Sequence, residues 1–222
     1  MRTESHLSAG FRNPAMGSQA VFRVALAALS SPARRFPADF AGLFAAPPPM
    51  PVTVAAMALT LADGLTPVWL SPSLMGASGW LAFHRSAPPA PAPGGAALVI
   101  AASPEELPPL LELDRGTDRY PDRSATVLLG GVLEDGCGGL PVKASGPGIR
   151  EDTVFGDHGL GRGFFDGWAL NRSSYPLGVD VFLCGPGFLA GLPRSVSLIP
   201  APGARTVPSG GGGGSGGVPE GI

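Results

Sequence analysis

Apolar residues in the first third of the chain recur at helical spacing. Phe22, Leu26 and Leu29 predict an amphipathic helix with that stripe buried. Asn13-Pro14 or Ser18 can start it, because Asn and Ser cap helix amino ends and proline is tolerated in the first turn; Pro32 ends it. Val52 to Ala62 is rich in alanine, leucine and methionine, with Val54, Met57, Ala58 and Leu61 on one side, and reads as a buried helix closed by the turn Asp63-Gly64. Thr66 to Leu70 and Ala96 to Ala101 are short apolar runs of strand length, the second apolar on both faces as in a covered sheet.

Ser103-Pro104-Glu105-Glu106 combines a serine cap, a first-turn proline and a glutamate three residues after the cap, which predicts a helix start. Pro108-Pro109 makes that helix short or distorted. Strands are expected at Ala125 to Leu133, Leu140 to Ala144, Val179 to Cys184, Phe188 to Leu192 and Ser195 to Ile199, with a helix over Phe164 to Asn171. The glycine-bearing turns Asp135-Gly136 and Gly185-Pro186-Gly187 predict antiparallel hairpins among the later strands. Early strands alternate with helices, so the expected class is α/β, a mixed β-sheet covered by helices. Residues 1–10 are polar and aperiodic and read as a flexible arm. Residues 11–199 form a single domain, and residues 200–222, with an unbroken run of five glycines, form a disordered tail.

Composition narrows the chemistry. With 15 basic and 17 acidic residues, and arginines dispersed along the sequence, general attraction to nucleic acid is not expected. No apolar run reaches the length needed to cross a bilayer, so the sequence reads as soluble, with no membrane partner. Cys137 and Cys184 belong to no metal or redox motif, which fits a reduced cytoplasmic setting. His6 lies in the arm, and His84 and His158 have no partner at metal spacing. The nucleophile-elbow pattern is missing, and Gly159-Leu160-Gly161-Arg162-Gly163 lacks the spacing and terminal Lys-Ser/Thr of a phosphate loop. Asp152, Asp157 and Asp166 follow no calcium-loop pattern. No metal site and no catalytic set is therefore assigned.

Several segments stand in an order that resembles one family. They are GFRNPAMGSQAVFR from Gly10, LTLADGLTPVWL from Leu59, LAFH from Leu81, GTDRYPDRSATVLL from Gly116, SGPGI from Ser145, YPLGVDVFL from Tyr175 and LPR ending at Arg194. Together they resemble the H subunit (PhnH) family of the bacterial carbon-phosphorus lyase system. Ala33 departs from the pattern, since it stands where the family has a Pro-Gly turn, and the glycine-rich tail is extra.

The resemblance implies a fold like the large domain of pyridoxal-phosphate transferases that has lost its cofactor. It also implies a non-catalytic accessory subunit that forms homodimers and joins G, I and J subunits in a core complex. There it supports formation of ribose 1-phosphonate 5-triphosphate from ATP and an alkylphosphonate. On this reading Asp63, Pro67, Trp69, Gly116, Pro176, Leu177, Gly178, Asp180, Pro193 and Arg194 are structural or interface residues, and Trp168 is a large core or interface anchor. A rival reading is a small-molecule protein or enzyme with a pocket near Asp63, His84 and Lys143, the chain's single lysine. A third is a phosphonate-binding module in which arginines such as Arg194 hold the ligand.

Overall fold

The computed structural model describes residues 8–133, 141–150 and 153–200. The elements, in chain order, are α1 (Pro14–Ser30), β1 (Arg35–Pro37), α2 (Val52–Leu61), β2 (Val68–Leu70), α3 (Ser78–Arg85), β3 (Leu98–Ala101), β4 (Thr126–Leu129), β5 (Pro141–Ser145), β6 (Thr153–Gly156), α4 (Gly161–Ser173), β7 (Asp180–Gly185), β8 (Phe188–Leu192) and β9 (Ser197–Pro200). Six strands form a mixed sheet in the order β1-β8-β7-β4-β3-β2. Within it β2, β3, β4 and β7 run parallel, with Leu98 opposite Thr126 and Thr126 opposite Asp180; β8 and β1 add antiparallel at one edge. A second sheet has the order β6-β5-β9.

Alternation along the central strands divides the core in two. Leu98, Ile100, Leu128 and Phe182 face the side of α1, α2 and α3. Val99, Ala101, Val127, Leu129, Val181 and Leu183 face the other side, where α4 and the small sheet cover them. This is the helix-covered mixed sheet expected from the pattern, in three layers. Every residue from Thr53 to Leu59 is buried, so α2 is enclosed all round rather than on one side.

Helix α1 starts at the expected cap, where Asn13 accepts a hydrogen bond from Met16 N at 3.2 Å. Its buried stripe is not the expected one. Gly17, Val21, Ala25 and Ala28 face inward, whereas Phe22 and Leu26 are exposed and Leu29 is partly buried. The reason is close approach: a Cβ on Gly191 of β8 would stand 2.6 Å from the Ala28 backbone. Small residues make that contact, and the larger side chains are turned outward.

Other expectations change as well. The serine cap at Ser103 is followed by one short helical turn, Pro104–Glu106, without a side-chain cap bond. The strands predicted before and after Asp135-Gly136 do not form a hairpin, since β4 lies in the large sheet and β5 in the small one; the turn itself lies outside the described residues. The hairpin at Gly185-Pro186-Gly187 is present, with Gly185 opposite Phe188. Helix α3 and strands β1 and β6 were not anticipated. Of the arm expected over 1–10, Ser8 to Gly10 are described: Trp80 Nε1 donates to Ser8 O at 2.8 Å. Residues 1–7 and 201–222, and with them the tail, lie outside the described residues, as does Cys137.

Ala33, where the sequence departs from the resembled pattern, has a φ of 60°. That is left-handed backbone, the conformation a glycine would supply without strain. The methyl group is buried, which offsets part of the cost.

Candidate functional site

The motif residues converge at the amino ends of β4 and β7. Asp180 is the first residue of β7, the loop Asp114 to Ser124 leads into β4, and Pro193-Arg194 follows β8. Antiparallel pairing of β7 with β8 returns Arg194 to Asp180. Arg194 Nε donates to Asp180 Oδ1 at 3.1 Å and Nη2 to Oδ2 at 2.6 Å, a two-pronged ion pair, and Arg194 N also donates to Oδ1 at 2.8 Å. Nη1 donates to Pro121 O at 2.7 Å and Nη2 to the Ser124 hydroxyl. The Arg194 and Asp180 side chains are 13% and 25% exposed, so solvent weakens this fork little. One guanidinium thus ties three chain segments together, and its donors are committed within the fold.

The loop it grips is shaped locally. Asp114 Oδ1 accepts from Gly116 N at 2.9 Å, and Gly116 has a φ of 77°. A Cβ there would stand 2.9 Å from the carbonyl oxygens of Tyr120 and Pro121, so only glycine fits. Across the site Gly178 N donates to Arg115 O at 3.0 Å. Gly178 has a φ of 129°, and its Cβ would stand 2.8 Å from Asn171 Oδ1. Asn171, fully buried in α4, binds Val179 in both directions: Val179 N donates to its Oδ1 at 2.9 Å and its Nδ2 donates to Val179 O at 3.0 Å. The Tyr175–Pro176 peptide is cis, and Leu177 N donates to Ser174 O at 2.9 Å.

Above this frame Tyr120 and Tyr175 stand 37% and 57% exposed. The guanidinium of Arg123 lies 4.2 Å from the Tyr120 ring centre, that of Arg119 5.1 Å, and that of Arg172 5.4 Å from Tyr175. The arrangement is a rigidly supported surface of aromatic and arginine side chains, a composition enriched in protein interfaces.

The remaining motif residues support the fold elsewhere. Pro67 O accepts from Ala97 N at 2.9 Å and Leu98 N at 3.1 Å, and Trp69 is partly buried against the α4-side core. Val196 N donates to Pro193 O at 2.9 Å. Asp63 Oδ1 accepts from the Thr66 hydroxyl at 2.7 Å and from Leu65 N at 2.9 Å, closing the turn after α2. The Thr66 hydroxyl, the Leu65 amide and the nearby Arg85 charge hold the Asp63 carboxyl below the ordinary carboxylate value.

The rival pocket is not assembled. Asp63 and His84 lie on the helix side of the large sheet, whereas Lys143 is exposed in β5 of the small sheet on the opposite side. His84 Nε2 lies 2.9 Å from Ser8 O and its ring meets Trp80 edge-on. The third reading fails at Arg194, whose guanidinium is already bound to Asp180, Pro121 and Ser124. His158 is buried with Nδ1 2.8 Å from Leu133 O. Among the described residues no group of three His, Cys, Asp or Glu side chains could hold a metal.

Ligands of open α/β sheets commonly enter at the carboxyl ends of the strands. There the protein has a cavity of about 550 Å³, lined by Phe40, Val52, Thr53, Val132, Cys184 and Gly185 among others. Its walls are mainly apolar, and the Thr53 hydroxyl is committed to Gly185 O at 3.0 Å. Burial pushes the Cys184 thiol far above its ordinary value, so the sulfur stays protonated.

Sequence reasoning missed Asn171, Ser174 and Arg115. Asn171 continues the spacing of Phe164 and Trp168 along α4, so its inward position was legible, but not its partner.

Comparison with known proteins shows what the chain is similar to. A family model described as "Bacterial phosphonate metabolism protein (PhnH)" matches residues 9–199. A protein of Rhizobium meliloti (strain 1021), named alpha-D-ribose 1-methylphosphonate 5-triphosphate synthase subunit PhnH, is 35% identical over 205 residues, covering 89% of this chain and 98% of that protein.

Proposed function

The chain belongs to the PhnH family of bacterial phosphonate metabolism proteins, and from that premise we propose that it is an accessory subunit in phosphonate catabolism. It joins a carbon-phosphorus lyase core complex and supports formation of ribose 1-phosphonate 5-triphosphate from ATP and an alkylphosphonate. The observation that carries this is the extent of the likeness: the relative, itself named a synthase subunit, aligns over 98% of its length. The same reading has the chain working in the cytoplasm as a homodimer that binds G, I and J subunits. No helix among the described residues is long and apolar enough to cross a membrane, which is compatible with that setting.

The face around Tyr120 and Tyr175 is the proposed meeting surface for the partner subunits. Arginines over exposed tyrosine rings form amphipathic anchors, and the Arg194 fork holds the loop beneath them in one conformation before a partner arrives. The motif residues Gly116, Pro176, Leu177, Gly178, Asp180, Pro193 and Arg194 serve that support. In ancestry the fold is a pyridoxal-phosphate transferase large domain without the cofactor. Four parallel strands covered on both faces support this, as does the position of the single lysine, Lys143, on the small sheet rather than beside the cavity.

Co-expression with candidate G, I and J subunits, followed by size-exclusion chromatography with mass determination, tests the assignment. Stoichiometric co-elution, lost when Tyr120 and Tyr175 are both changed to alanine, is expected. A homodimer that elutes apart from all three partners would remove the subunit reading.

A further inference from the structure

Two chain segments far apart in sequence wall one groove. Leu107, Pro109, Leu110 and Leu111 stand on one side and Phe164 and Leu170 of α4 on the other, around a hollow of about 460 Å³ with a mainly apolar wall. Gly163 and Gly167 of α4 also line it, one helical turn apart. A Cβ on either would meet nothing within 4 Å, so the groove is deep where α4 lacks side chains. Glu105 is the only charged side chain on the wall among the described residues. Leu111 and Leu170 are 41% and 53% exposed, apolar surface beside an apolar hollow that a docked partner would remove from water.

The groove runs towards the face of Tyr120 and Tyr175. Gly163, Gly167, Leu170 and Ser174 recur at helical spacing on one side of α4 and its cap. Seven residues beyond Gly167, roughly 10 Å by helical rise, the Ser174 hydroxyl accepts a hydrogen bond from Arg115 Nη1 at 3.2 Å. The bond from Gly178 N to Arg115 O at 3.0 Å ties the two walls together there. Beyond that tie one wall continues to Tyr120 and the other to Tyr175. Arg115 forms no ion pair among the described residues, and Asp114 beside it is turned onto Gly116 N at 2.9 Å. A partly buried guanidinium without a carboxylate, at the end of a largely uncharged groove, is complementary to one acidic side chain.

We propose that this groove docks a segment of a partner subunit, which sets a leucine- or phenylalanine-sized side chain into the hollow and a carboxylate against Arg115. The buried apolar anchor supplies affinity, and the adjoining ion pair fixes the register of the segment. The absent side chains at Gly163 and Gly167 let the partner's backbone come close to α4. The inference rests on the subunit reading and extends the meeting surface from Tyr120 and Tyr175 into the adjoining groove.

Titration of the full chain against immobilised G, I and J subunits tests it, with the melting temperature of each variant as the measure of fold. Gly167→Leu puts a side chain into the open hollow and replaces glycine by a better helix former. It should melt no lower than the parent yet bind about tenfold or more weakly. Gly163→Leu, at the other open glycine, repeats the measurement where Gly167→Leu melts lower. Arg115→Glu should weaken binding to a similar extent, whereas Arg115→Lys should retain most of it. Gly79→Leu, at an equally open glycine of α3, should bind as the parent does. The proposal is overturned, and the subunit reading kept, if the filled groove or Arg115→Glu binds like the parent, or if Gly79→Leu weakens binding as much. It is also overturned if filling the groove disrupts only the homodimer, which would assign the groove to a second copy. A parent chain that binds none of the three subunits removes the subunit reading and this inference together.

Discussion

Arg194 uses four of the five donors of its guanidinium on Asp180, Pro121 and Ser124. A lysine at this position carries the same charge but presents it from one point, so it cannot reach all three partners. Arg194→Lys should therefore destabilise the protein by about 1–3 kcal/mol, measured by chemical denaturation; parent-like stability would mean the fork contributes only geometry. Cys184 provides a second check at this scale. Its thiol is buried and held protonated, so in a Cys137→Ser background it should react with a thiol-directed reagent far more slowly than an exposed cysteine. Prompt labelling at neutral pH would contradict the packing around it. The pairing of Asp180 with Arg194 was not legible from either residue, because 14 positions separate them and the hairpin alone closes that gap.

Helix α4 links the two sheets. Trp168 is fully buried, and its Nε1 donates to Val196 O at 2.9 Å just before β9. Trp168→Ala removes the ring and leaves that carbonyl without its donor, so a loss of about 3–5 kcal/mol is expected in equilibrium unfolding; a change below about 0.5 kcal/mol would place the indole at the surface. The short turn Pro104–Glu106 is pinned through Glu106, whose Oε2 accepts from the Ser73 hydroxyl at 2.9 Å and from Ser73 N at 3.2 Å. The hydroxyls of Ser71 and Ser73, with the Ser73 amide, hold the Glu106 carboxyl below the ordinary glutamate value of 4.5. A depressed value in the folded state means the contribution is fully present above the ordinary value and is lost as pH falls through the folded one. Glu106→Gln should then lose stability at neutral pH and show a flatter decline in acid, read from denaturation midpoints at several pH values. An acid limb identical to the parent's would show that the carboxylate is not linked to folding. The helix predicted to start at Ser103 is a single short turn, as expected, because Pro108 and Pro109 allow no continuation. Its contact with Ser73, 33 residues away, had no local signal.

For the whole molecule, the last described strand ends at Pro200, where β9 pairs with β5. A chain shortened after Pro200 should keep its melting temperature, since the removed sequence is dominated by glycine and proline and offers little apolar surface to bury; a clear drop would assign the tail a structural role. By itself the sequence determined the α/β class, the buried α2 and most of the strands, because apolar period and turn residues are local signals carried by adjacent side chains. It also determined the family, through motifs spread across nearly the whole domain. Tertiary structure alone decided which face of α1 is buried, since close approach to Gly191 favours Ala25 and Ala28 over Phe22 and Leu26. It alone separated β4 from β5 into different sheets and kept Lys143 away from Asp63 and His84. It alone joined Arg194 to Asp180. These outcomes depend on chain segments that meet only after folding, and their packing and charge energies have no counterpart among residues adjacent in sequence.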